Sequence, residues 1–259
     1  MPAPNDNNPS FPAGVSLTPI PGNQYTLSAT LVNLLVDARN LYDWPQGTGA
    51  ANSQQTVINL INTVRNYLSP TITPNDAHQI TMAVSAWAGN NANSHQSICR
   101  ATPAHVSHMQ KAITCLITPG HECIGIDGLC ALPGISLVIA SKIFRFCSPQ
   151  HGAAVDRHAS YFFNSLQIVG QGNVTQFVRE WSNGRHNTSR LAIYQQANYA
   201  RNKAEYFSLY LPIINSVAQA LNAAPAHYYT CAVTNTLQAW TPADVEMAAY
   251  YWWALNGAR

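Results

Sequence analysis

Charged side chains are scarce in this 259-residue chain: Asp, Glu, Lys and Arg make up 9%, and the formal net charge is +2. Soluble domains usually carry about 25% charged residues, so the polar surface has to come from elsewhere, and 24 Asn and 15 Gln supply it. The same scarcity excludes a polybasic or supercharged tail. No run of 18 apolar residues occurs, and Met1-Pro2-Ala3-Pro4-Asn5-Asp6 has neither the basic nor the apolar stretch of an export signal. A soluble, unsecreted, cytoplasmic chain with no membrane partner is expected. A Gly-rich nucleotide loop, a Walker lysine and a nucleophile elbow are also missing.

Six cysteines are present, but none forms a Cys-x2-Cys pair, and Cys115, His121, Cys123 and Cys130 fit no zinc or iron–sulfur spacing. No metal site is expected. A chain this long needs no disulfide stapling, so the thiols are expected to be reduced and buried. His105 and His108 lie on one helix face without a third ligand in register and read as surface histidines.

Period-two alternation is almost absent, whereas apolar residues recur at helical spacing. Examples are Leu27, Leu31, Leu34, Leu35; Val57, Leu60, Ile61, Val64; and Val106, Met109, Ile113, Leu116. Thr73-Pro74-Asn75-Asp76 and Thr241-Pro242-Ala243-Asp244 put Thr at an N-cap, Pro at the first helical position and Asp at the third, so both read as helix starts. Thr102-Pro103 opens another helix, Gly89 and Gly184 are expected stops, and Pro212 is expected to divide 189–210 from 212–222. The prediction is an all-α fold of nine or ten helices with little or no sheet. Residues 1–22, with six prolines, form a flexible extended arm ahead of a helical domain spanning 23–259. The apolar stretch Val245 to Trp253 reads as core, and Trp87 and Trp181 as buried.

Residues 124–159 carry the most information. Ile124 to Ala131 predict a short helix, Leu132-Pro133-Gly134-Ile135-Ser136 a tight connection, and a second helix starts near Leu137. That helix has Ala140, Ile143, Phe144 and Cys147 on an apolar face and Val138, Ser141, Lys142 and Arg145 on the opposite one. A Pro-Gly turn feeding a helix N-terminus leaves backbone N–H groups pointing outwards, as a phosphate cradle requires. Residues 130–259 hold nine basic and five acidic side chains, against four and six in 1–129, so the second half is the expected face for an anionic partner.

Leu132-Pro133-Gly134-Ile135, then Ala140, Pro149 and Val155-Asp156-Arg157-His158, resemble the helix-hairpin-helix (HhH-GPD) DNA glycosylase superfamily, which includes endonuclease III and the adenine-mismatch and 8-oxoguanine glycosylases. The resemblance covers about 36 residues. It implies a two-lobed, wholly helical fold with the hairpin at 124–147, acting as a monomer on double-stranded DNA in base-excision repair, in the nucleoid or nucleus. It implies DNA contacts from Leu132, Pro133, Gly134, Ile135, Ser136, Arg145, Arg157 and His158, and a catalytic Asp156 at the mouth of a base-receiving pocket. No cofactor is implied; a monovalent cation at the hairpin is the one ion for which the resemblance leaves room.

Two departures stand out. The second hairpin Gly of the family is Ser136, a handicap if the position needs positive φ or close approach of a phosphate. The nucleophilic Lys of family members that also cut the strand, 18 residues before the Asp, is Val138, so a Schiff-base lyase is not expected. Lys142, one turn on, reads either as a displaced nucleophile or, preferred on side-chain direction, as a solvated or phosphate-contacting lysine. For Asp156, charge stabilisation of an oxocarbenium-like transition state stands beside an N-cap role on the following helix. His158 either meets a phosphate or fills a gap beside the hairpin. Arg179, Arg185 and Arg190, with Arg145 and Arg157, either track a DNA backbone or form an ordinary solvated surface. The alternative to a monofunctional glycosylase is a non-catalytic helix-hairpin-helix protein that binds DNA or another partner. A third reading is an unrelated helical domain. The excised base has no local signature.

Overall fold

The structure, a computed structural model, describes residues 11–22, 24–41, 54–68, 71–88, 92–173, 199–231 and 234–256. The expected helix stops at Gly89 and Gly184, and Arg179, Trp181, Arg185 and Arg190, lie outside the described residues.

The protein is all-α in character. Its helices are α1 (Ala29–Asn40), α2 (Gln54–Tyr67), α3 (Pro74–Trp87), α4 (Ala92–Cys99), α5 (Pro103–Leu116), α6 (Glu122–Cys130), α7 (Leu137–Cys147), α8 (Arg157–Ser165), α9 (Tyr199–Glu205), α10 (Leu211–Asn222) and α11 (Pro242–Asn256). The start signals work as their chemistry requires. At α3 the Thr73 hydroxyl accepts from Asp76 N–H and the Asp76 carboxylate accepts from Thr73 N–H, closing a capping box behind Pro74. At α11 Asp244 does the same for Thr241 through Oδ2, leaving Oδ1 for Arg39, 2.9 Å away, and for the Tyr229 hydroxyl. One carboxylate thereby starts α11 and ties it to α1 and to the strand that carries Tyr229. At α5, where no acid stands third, His105 Nδ1 takes that place in the box.

Pro212 does not divide its helix. A proline removes one backbone donor and crowds the carbonyl four residues back; here a π-turn over Tyr206–Tyr210 widens the helix just before it, and Leu211 N–H bonds to Tyr206 C=O instead. α9, the π-turn and α10 therefore run on as one body, giving ten helical bodies among the described residues besides a single 3₁₀ turn at Pro225–His227.

Sheet is confined to six short strands among the described residues, in keeping with the little or no sheet expected. β1 (Ser16–Ile20) pairs antiparallel with β2 (Gln24–Leu27) and parallel with β3 (Gln167–Ile168), which pairs with β4 (Gly172–Asn173). β5 (Tyr229–Cys231) and β6 (Thr236–Gln238) form a separate ladder. Strands of two to five residues are too short for a period to show. Pro19 lies beyond the stretch of β1 that β3 covers, where a missing N–H is tolerated. Within the proline-rich arm Ser16–Ile20 is thus a strand with a buried Leu17, and Phe11 stacks on Trp252 and meets Phe162 edge-on.

α7 lies at the centre, against α2, α3, α5, α6 and α9, and each of its residues from Leu137 to Cys147 is buried. The exposed polar face expected for this helix does not exist, because neighbouring elements cover it all round. α1, α8 and α10 pack on α11. Among the described residues no helix is long and apolar enough to cross a membrane.

Candidate functional site

The hairpin forms where the sequence places it, between α6 and α7. Ile135 N–H donates to Leu132 C=O across Pro133 and Gly134, and Gly134 has φ +82°, the left-handed conformation that the third position of such a turn demands. Leu132 and Ile135 are buried and anchor the turn, Gly134 and Ser136 are partly buried, with Gly134 against α4, and Pro133 is the exposed point. Leu132 and Ile135 are not available to a duplex.

Ser136 is the N-cap of α7 with φ −92° and ψ 170°, an extended conformation open to any residue. Its side chain makes no capping hydrogen bond, so it leaves the α7 N-terminal amides uncapped from that side. The replacement of glycine here carries no conformational penalty. Gly134 is the strict position: a Cβ there would lie 2.5 Å from the Ser94 carbonyl oxygen of α4. Gly134→Ala is expected to cost about 2–4 kcal/mol, positive φ and the clash combined. Gly22→Ala, at φ +85° with open space around it, should cost only about 1–2 kcal/mol. Urea unfolding of the two variants checks the difference.

Asp156 is fixed from several sides. It is the N-cap of α8, with Oδ1 accepting from Ala159 N–H at 3.0 Å, and it is 7% exposed. The segment leading to it is clamped: Tyr206 and Tyr210 donate to the Ala153 and Ala154 carbonyls at 2.6 and 2.7 Å. Ser141 Oγ accepts from Val155 N–H and donates to Val138 C=O. Gly152 lies so close to Phe144 that a Cβ would sit 2.9 Å from its backbone.

Behind Asp156 lies a buried ionic cluster. Arg145 Nε of α7 is 2.9 Å from Glu246 Oε2 of α11, with side chains 2% and 6% exposed. The approach is off the N–H axis, so this is an ion-pair contact without a hydrogen bond. Lys142 is buried beside them; burial pushes its ammonium below the usual range, and the charges of Asp156 and Glu246 pull it back up. Burial pushes the Glu246 carboxyl up to about 8 against the opposing pull of Arg145. The Trp87 ring caps both cations, with Lys142 Nζ 5.4 Å and Arg145 Cζ 5.7 Å from its centroid, and Arg145 also lies over Phe146. Arg145 Nη1 and the fully buried Ser160 Oγ, one turn beyond Asp156, have no partner among the described residues.

Several expected roles are therefore corrected. Lys142 is neither solvated nor phosphate-contacting, and Arg145 is not a DNA contact, because both are enclosed by α11 and Trp87. His158 is half-buried with its ring edge-on to Tyr250 of α11. Arg157 opens α8; its side chain lies outside the described residues. Only Cys147 and Cys231 are buried; Cys115 and Cys130 are partly exposed, and Cys99 and Cys123 exposed.

Glu246, Tyr206, Tyr210 and Ser160 escaped the sequence reading. The signal for Glu246 was there: the one acid within Val245–Trp253, a stretch apolar nearly all round, and two cations in apolar α7 must be buried together or not at all. The two tyrosines act across 53 and 56 residues, and no local pattern announces that.

No family model, curated protein or solved structure matches this chain.

Proposed function

We propose that this chain is a helix-hairpin-helix DNA-binding protein that acts as a monofunctional DNA N-glycosylase in base excision, working as a monomer on duplex DNA. The observations that carry the reading are a Pro-Gly turn with Pro133 exposed and no side-chain cap from Ser136 on α7, and a carboxylate held at the start of α8. Cleaving an N-glycosidic bond builds positive charge at the sugar C1′, and a fixed carboxylate in water-poor surroundings stabilises that charge. The position of the lyase lysine, 138, is a buried valine, and Lys142 is enclosed with Asp156 and Glu246 acting on it, which supports a monofunctional mechanism.

A second reading, a non-catalytic helix-hairpin-helix binder, draws support from the burial of Asp156 and its bond to Ala159 N–H, which is the work of a structural cap.

The glycosylase reading and the DNA-binding form of the second reading require phosphate contacts, and with Lys142 and Arg145 buried the basic face is thin. Duplex affinity should fall with salt at a log–log slope of about −2 to −4, corresponding to roughly two to four phosphates. Fluorescence anisotropy at several salt concentrations measures it. Undetectable or salt-independent binding at low salt would remove both of these.

A further inference from the structure

Cys99, exposed at the end of α4, stands apart from the other thiols. His95, one turn earlier, places Nε2 3.4 Å from the Cys99 sulfur, and its Nδ1 is 3.2 Å from the hydroxyl of Ser85, fully buried on α3. With the ring proton on Nδ1 and donated to Ser85, Nε2 is an acceptor aimed at the thiol. α4 is held in place for this: His78 Nε2–H donates to the Ile98 carbonyl at 2.9 Å. Burial pushes the Cys130 thiol up to about 12 and drives Cys147 up as well.

We propose that Cys99, with His95 as its proton acceptor and Ser85 positioning His95, is a site of thiol–disulfide exchange with small-molecule disulfides, for which oxidised glutathione serves as the probe. The Cys99 thiol passes its proton to His95 Nε2 and its sulfur attacks one sulfur of the disulfide. A new S–S bond forms at Cys99, the old one breaks, and the departing thiolate takes the proton from His95. No further oxidant is needed. α4 is also the helix that backs the hairpin, through the Ser94 carbonyl and Ser97 against Gly134. On the helix-hairpin-helix reading, on which this consequence rests, an anionic adduct on α4 weakens DNA binding.

The test treats the full chain with oxidised glutathione and follows each cysteine by peptide mass mapping, with exposed Cys123 as the internal reference. Cys99 should react about 10-fold or more faster than Cys123, and His95→Gln, which keeps a hydrogen-bonding side chain, should bring it down to the Cys123 rate. Ser85→Ala should slow Cys99 and leave Cys123 unchanged. Equal rates at the two cysteines, or a Cys99 rate untouched in a folded His95→Gln protein, overturn the proposal. Anisotropy with duplex DNA then separates the consequence. Weaker binding by the adduct, with Cys99→Ser protein unaffected by the same treatment, supports the coupling; an adduct that binds as well as unmodified protein overturns the coupling alone. Absence of DNA binding by either form counts against the hairpin reading and not against the exchange site.

Discussion

Asp156→Asn is expected to lower base release by about 10² to 10⁴-fold, the range for losing a charged or acid–base catalytic group. Asn retains an oxygen for Ala159 N–H, so the start of α8 should survive. The substitution is not silent for stability, because the carboxylate also acts on buried Lys142. Its loss leaves that ammonium with Glu246 as its remaining acidic neighbour in the cluster, and a cost of about 1–3 kcal/mol is expected, more than a cap alteration alone. Single-turnover release at saturating enzyme, paired with a urea melt, separates the two effects. A catalytic role requires folded Asn variant that binds DNA at wild-type affinity or slightly tighter and releases base far more slowly. A variant that loses several kcal/mol of stability, in a protein whose wild type releases no base, fits the second reading.

The largest effect on stability is expected at the ion pair behind Asp156. Arg145→Met should cost about 3–5 kcal/mol at pH 9, where Glu246 would otherwise be a buried carboxylate stripped of its cation, and less at pH 6, where the carboxyl takes a proton. The sign for the wild type follows from the raised Glu246 value. Between its ordinary 4.5 and about 8 the folded chain holds this proton more tightly than the unfolded chain does. The contribution is complete below 4.5 and lost as pH rises through about 8. Glu246→Gln abolishes it, so the stability of wild type relative to Gln should decline from pH 5 to pH 9. Urea melts of wild type, Arg145→Met and Glu246→Gln at pH 5, 7 and 9 measure the trend. A difference that does not change with pH would mean that Glu246 does not titrate in this window.

Much of the local structure was legible because it rests on chemistry within four or five residues. The capping boxes at Thr73 and Thr241 and the Leu132–Ile135 turn are satisfied by their own neighbours in sequence. What escaped was set by distant contacts. Pro212 was expected to end a helix, and the π-turn that accommodates it holds two tyrosines against the 153–154 carbonyls. The face of α7 with Lys142 and Arg145 was expected to meet solvent, and its polarity is matched instead by Glu246, a hundred residues further on. The arm was expected to be extended, and the ladder partners that hold Ser16–Ile20 extended come from β2 and from distant β3. Of the candidate site, Asp156 and the hairpin were readable; the groups that position the carboxylate and surround it with charge were not.

The central claim is tested most directly by incubating the folded chain with duplexes carrying uracil, 8-oxoguanine, hypoxanthine or methylated purines and measuring free base. The expected result is release from at least one duplex, leaving abasic sites that break only on later alkali treatment, with no borohydride-trapped protein–DNA adduct. Salt-sensitive binding to every duplex with release from none would contradict the glycosylase reading in favour of a binder. Strand cleavage without alkali, together with a trapped adduct, would contradict the monofunctional mechanism.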